Sequence, residues 1–106
     1  MNKKILDALS ELKIDTVFME YSGKNDKYIV FGVTKEVETD IYDDENESIT
    51  YYISLNYWYK KPGDVVYLTK IRKMMKDAGF IFADGVDLRE GNFYGKNYDF
   101  IYKEYL

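Results

Sequence analysis

The chain has 106 residues, 46% of them hydrophobic and 32% charged, with one proline and no cysteine. That balance suits one folded domain around one core and is too apolar for intrinsic disorder; without cysteine there is neither a disulfide framework nor a thiolate metal site. Nineteen acids against fifteen bases, and no histidine, give a net charge of −4, which repels phosphate backbones and removes the commonest general base and metal ligand together.

The opening segment "MNKKILDALSEL" places Ile5, Ala8, Leu9 and Leu12 at spacings of three and four, which predicts an amphipathic helix over 2–12. Asp7, Ser10 and Glu11 interrupt its apolar positions, so it does not read as a signal peptide. No window approaches the roughly 20 apolar residues of a membrane span, and the expectation is a protein made and kept in water with no membrane partner. A short strand over 17–21 follows, then the turn-rich "SGKND" and a second strand in "KYIVFGV", where Gly32 suggests a bulge or a close backbone approach. Between 35 and 49 the composition changes. Glu36, Glu38, Asp40, Asp43, Asp44, Glu45 and Glu47 put seven acids in fifteen residues, and such a segment reads as a self-repelling, mobile acidic loop.

The clearest strand is 50–59. Tyr51, Ile53, Leu55, Tyr57 and Tyr59 alternate with Thr50, Tyr52, Ser54, Asn56 and Trp58, one face apolar and the other mixed, as expected of a central strand. "KKPGD" is a turn, and Asp64 stands where it would cap the next helix. In that helix Leu68, Ile71, Met75 and Ala78 form the inner face, Lys70, Lys73, Lys76 and Asp77 the outer, and Gly79 with Phe80 spells a Schellman ending. A short strand over 80–82, a loop through "ADGVDLREGN" and a final strand over 93–103 complete the chain. The fold expected is α+β: a single domain, 1–106, with two helices on one face of a four- or five-stranded, mainly antiparallel sheet.

Three stretches come near to known chemistry. "GNFYGKN" has two glycines, but their spacing is wrong for a phosphate loop and Asn97 replaces the magnesium-holding Ser or Thr. "DIYDDENES" supplies carboxylates for a cation, yet counting from Asp40 the sixth and twelfth positions are Glu45 and Tyr51, not the Gly and Glu of a helix-flanked calcium loop. "KNYDFIYK" shares Tyr98, Phe100 and Ile101 with the aromatic strand of RNA-recognition domains, but Asp99 would repel RNA and alternating aromatics on a last strand usually belong to the core. No catalytic residue, cofactor site or metal site follows. Twelve tyrosines, six phenylalanines and a tryptophan are too many for so small a core to hide, and tyrosine in excess points to protein interfaces and self-association.

From "KYIVFGV" to "FYGKNYDFIY", about three-quarters of the chain, the pattern resembles the tail-terminator or tail-completion proteins of long-tailed bacteriophages and prophages. The resemblance rests on a Tyr-rich first strand, an acidic stretch, then Tyr52, Ile53, Leu55 and Trp58, a helix closing with Met75, Ala78, Gly79 and Phe80, and the last strand. Gly95 departs from it, standing where a polar ring such as His is expected. The resemblance implies a structural protein rather than an enzyme: a hexameric ring that caps the tail tube and joins it to the head connector, assembled in the host cytoplasm and carried in the virion tail, with DNA passing through an acidic lumen without specific binding. Its partners would be copies of itself, the tail-tube protein and the connector protein. The candidate assembly interface comprises the seven acids above with Trp58 and Tyr59. The alternative is a small nucleic-acid-binding domain or an acidic inhibitor that mimics DNA.

Overall fold

A computed structural model of the chain describes residues 1–39 and 48–105. In chain order the elements are α1 (Asn2–Leu9), extended by a 3-10 turn at Ser10–Leu12, then β1 (Asp15–Phe18), β2 (Lys27–Thr39) and β3 (Ser48–Tyr59), a 3-10 segment at Pro62–Val66, α2 (Tyr67–Asp77), β4 (Ile81–Glu90) and β5 (Phe93–Tyr105). The strands form one sheet in the order β1-β2-β3-β5-β4, with β1 parallel to β2 and every other pair antiparallel. Both helices pack on one face of it. The fold is therefore the α+β layer that the sequence predicts.

The helices bury the residues their periodicity selects. Ile5, Leu9, Ile71 and Met75 are fully shielded and meet Ile29, Phe31, Ile53, Leu55, Tyr57 and Phe100 of the central strands, while Leu68 and Ala78 pack at the margin. The end of α2 is the Schellman arrangement: Gly79 takes φ +96, its N–H donates to the Lys76 carbonyl at 3.0 Å, and the Phe80 N–H donates to the Met75 carbonyl at 3.0 Å. The start differs from expectation. Asp64 lies inside the 3-10 segment and no side chain caps α2; its carboxylate faces Lys27 Nζ at 3.5 Å, and its carbonyl accepts from the buried Tyr57 hydroxyl at 3.0 Å. The 3-10 turn already supplies amide partners, so the side chain is free to bridge to β2.

Several boundaries move relative to the sequence reading. The first strand ends at Phe18 rather than at 21, because Met19 takes φ +69 and its N–H donates to the Phe31 carbonyl, turning the chain back. The returning segment is pinned by the Asp15 carboxylate, which accepts from Tyr21 Oη at 2.9 Å and Asn25 Nδ2 at 2.6 Å. Residues 35–39 and 48–49, expected in the acidic loop, belong to β2 and β3 and pair from Lys35 opposite Tyr52 to Thr39 opposite Ser48, cross-strand pairing outweighing charge repulsion between Glu36 and Glu38. The β2 bulge falls between Val33 and Lys35; Gly32 itself admits a close approach, the Met19 sulfur lying 3.0 Å from where a Cβ would stand. Finally, "ADGVDLRE" is strand, not loop: β4 runs from Ile81 to Glu90 and returns through Gly91 and Asn92 into β5. Its alternation is broken by a bulge between Phe82 and Asp84 and by Gly85, so a strand held by backbone pairing to β5 carries no clean period of two.

Candidate assembly surface

Because both helices lie on one side, the register assigns every sheet residue to a covered or an open face. On the covered face Leu55 stands between Phe31 and Tyr98, and Ile53 opposite Phe100. This settles the aromatic strand "KNYDFIYK": Tyr98 and Phe100 are 6% and 1% exposed and belong to the core, so they offer no stacking platform for RNA bases. On the other face Trp58 stands between Tyr28 and Gly95, Asn56 between Val30 and Asn97, and Ser54 between Gly32 and Asp99; Leu88, Val86 and Asp84 of β4 extend the same rows. Among the described residues, no helix or strand covers this face.

Its two ends are apolar. At one, Tyr21 stacks on Tyr28 at 4.0 Å between centroids and Phe93 meets Tyr28 edge-on at 5.6 Å. Trp58 crosses β5 at Gly95, whose missing side chain makes room: a Cβ there would lie 2.5 Å from the indole Cζ3 and 3.1 Å from Leu88 Cβ. This accounts for glycine at the position where the family resemblance leads one to expect a polar ring, since the indole occupies that volume. At the other end Tyr52 (37% exposed) and Ile101 line a depression of about 450 Å³, and Ile81 (60%) pairs beside Ile101. Its floor is polar. Asn97 Nδ2 donates to Ser54 Oγ and to Asn56 Oδ1, each at 2.7 Å, while Asp99 stands directly opposite Asp84 in the register. Like charges facing across strands are unfavourable, and neither carboxylate forms an ion pair among the described residues.

The candidate interface residues separate. Trp58 lies on the open face, half-buried. Tyr59 does not: it is 8% exposed on the covered face, its ring 5.0 Å from Tyr57 and 5.6 Å from Tyr94, so it stabilises the fold rather than offering surface. One residue's difference in sequence reverses the side. Glu36 and Glu38 are exposed on β2, and Asp40, Asp43, Asp44, Glu45 and Glu47 lie outside the described residues. Sequence reading missed Val86 (49% exposed) and Leu88, because they were assigned to a loop, and did not single out Ile81 as a surface residue of its short strand; the β-branched and leucine positions at spacing two in "VDL" were the available signal.

Burial raises the Tyr57 hydroxyl far above the usual tyrosine range, helped by the Asp64 charge, and raises Tyr28 and Tyr59 in the same direction. None of these is a nucleophile poised near neutrality. Among the described residues no three His, Cys, Asp or Glu side chains converge as a metal site, and no helix is long and apolar enough to cross a membrane. No protein-family model matches the chain, and no curated protein matches it in sequence.

Proposed function

We propose that the chain is a structural assembly protein that works by association through its open sheet face, and that it serves as a tail-terminator ring of the kind its sequence resembles, capping a phage tail tube and joining it to the head connector. The observation that carries the reading is the open face itself. Exposed apolar residues Tyr52, Ile81 and Val86 share it with Trp58, Leu88 and Ile101. Leu6, Phe18, Val65 and Val66 are exposed outside it; what sets this group apart is that its members share one uncovered sheet face, a usual setting for a protein interface. With its strands near 3.3 Å per residue and about 4.8 Å apart, the face measures on the order of 700 Å², close to the roughly 800 Å² each partner contributes to a stable complex.

The test is electron microscopy and sedimentation of the chain alone and mixed with the tail-tube protein. Rings, free or at tube ends, are expected, with loss of both in a variant carrying Ile81→Ser and Val86→Ser that retains the wild-type melting temperature. A chain that stays monomeric in both settings, with tubes left uncapped, refutes the proposal. Burial of Tyr98 and Phe100 removes the base-stacking platform that the "KNYDFIYK" strand would have given a nucleic-acid reading.

A further inference from the structure

A closed ring of more than two copies cannot be built from one patch meeting itself, because a two-fold contact ends at the dimer; it needs two different patches that complement each other. If the open sheet face is one, the question is which surface of the same chain is the other. The outer side of α2 is unusual in a chain of net charge −4. Lys70, Arg72, Lys73 and Lys76 fall within seven residues, all exposed, against Asp77 alone. Lys73 is neutralised by Asp77 at 2.8 Å, Arg72 lies over the Phe82 ring at 3.8 Å and Lys70 over the Tyr67 ring at 5.2 Å. Lys76 has no ion-pair partner among the described residues. With Thr69, Arg72 and Lys73 it borders a shallow depression of about 360 Å³.

We infer that the open sheet face of one copy receives the basic outer side of α2 from the next copy, with the Asp84–Asp99 pair as the counter-charge for Lys76 and its neighbours. This rests on the assembly reading above and names the second half of its interface. Three features support the match. Charge is complementary: two facing carboxylates without an ion-pair partner among the described residues on one surface, a cationic stripe on the other. Length fits, since the 11 residues of α2 at about 1.5 Å rise span about 16 Å, within the width of five strands at about 4.8 Å spacing. Polar anchoring is ready-made, because the depression beside Asp99 opens between Tyr52, Ala83 and Ile101, where a lysine stem can lie on apolar walls with its ammonium at the carboxylates. Lys35 and Lys103 share this face at the same end, Lys35 over the Tyr52 ring at 5.8 Å and Lys103 two residues beyond Ile101, so the incoming stripe adds to cations already beside the depression.

The absence of cysteine from the chain makes the test direct. Thr69→Cys on the outer side of α2 and Ala83→Cys beside the depression, both at exposed positions, are prepared separately, mixed under assembling conditions and oxidised. Disulfide between the two different variants, and not within either alone, is the expected result. Independently, Lys76→Glu and Asp99→Lys should each weaken association about ten-fold or more, the pair together restoring it, as interfacial charge pairs do. Cross-linking of Ala83→Cys to itself shows two open faces meeting, and overturns the inference while leaving the open-face assembly reading intact. Unchanged association in both charge variants, alongside loss in the Ile81→Ser, Val86→Ser variant, does the same. Salt-sensitive binding of duplex DNA by α2, lost in Lys76→Glu and with no cross-link, assigns the basic stripe to nucleic acid instead. A wild-type chain monomeric alone and with the tube protein defeats both readings together.

Discussion

Replacing Gly95 by alanine ought to help a strand, since glycine in a strand interior carries an entropic penalty of roughly 0.5–1 kcal/mol relative to alanine. Here the opposite is expected. The new methyl would stand 2.5 Å and 2.6 Å from two ring carbons of Trp58 and 3.1 Å from Leu88 Cβ, contacts well inside van der Waals distance, and Leu88 is fixed opposite Gly95 by the β4 register. The indole must therefore swing off β5. Overpacking of this kind costs about 1–3 kcal/mol, which for a domain of this size lowers the melting temperature by about 4 °C for each kcal/mol. Trp58 is the sole tryptophan, so its emission reports the displacement directly: a red shift and stronger iodide quenching in the folded state. The decisive measurement is a double-mutant cycle by urea unfolding. In a Trp58→Ala background the Gly95→Ala change should become neutral or stabilising, leaving a coupling energy above about 1 kcal/mol, as residues in contact show. Additive effects, or a Gly95→Ala protein as stable as wild type with unshifted emission, would refute the argument that the indole determines this glycine.

Gly79→Ala should cost about 1–2 kcal/mol, because φ +96 forces a Cβ into the left-handed region, and a thermal melt that leaves the midpoint unmoved would contradict the Schellman ending. Ile71→Ala, at a fully buried position on α2, should lose about 2–5 kcal/mol by chemical denaturation, whereas Lys70→Ala on the exposed side should stay within about 0.5 kcal/mol. Tyr57 has its folded-state pKa raised above that of the unfolded chain, so its contribution is fully present below about pH 10 and is lost as pH rises beyond it. Urea unfolding at pH 9 and pH 11 should show a fall in stability that Tyr57→Phe reduces, and absorbance near 295 nm should show one phenol resisting ionisation until the protein unfolds.

Elements with a strong period were legible without any coordinates. The 3.6-residue stripe of α2, its glycine stop, and the alternation from Thr50 to Tyr59 each depend on neighbours within one turn or one strand, and local spacing reports such features directly. From them the α+β layer and the core positions Ile71, Met75, Ile53, Leu55 and Tyr57 follow. β4 was illegible for the converse reason. It is an edge strand held by backbone bonds to β5, interrupted by a bulge and carrying Asp84, Gly85, Asp87 and Arg89, so only Val86 and Leu88, two residues apart, declare it. The same holds for the ends of β2 and β3, where Lys35 to Thr39 become strand only because Ser48 to Tyr52 lie opposite.

The candidate surface divides along the same line. That the chain carries more aromatic residues than a small core can hold is written in its composition, and so is the crowding of Lys70, Arg72, Lys73 and Lys76 on one side of a helix. Which aromatics are left over is a tertiary matter. Trp58 and Tyr59 are neighbours of similar chemistry, yet one lies across Gly95 on the open face and the other stacks beside Tyr57 in the core. Asp84 and Asp99, fifteen residues apart, face each other only through the register of a hairpin whose bulge shifts by one residue which side chains point outward. Sequence spacing determines what each element can bury, but the side of the sheet the helices choose, and the strand that happens to lie opposite, decide what remains for a partner.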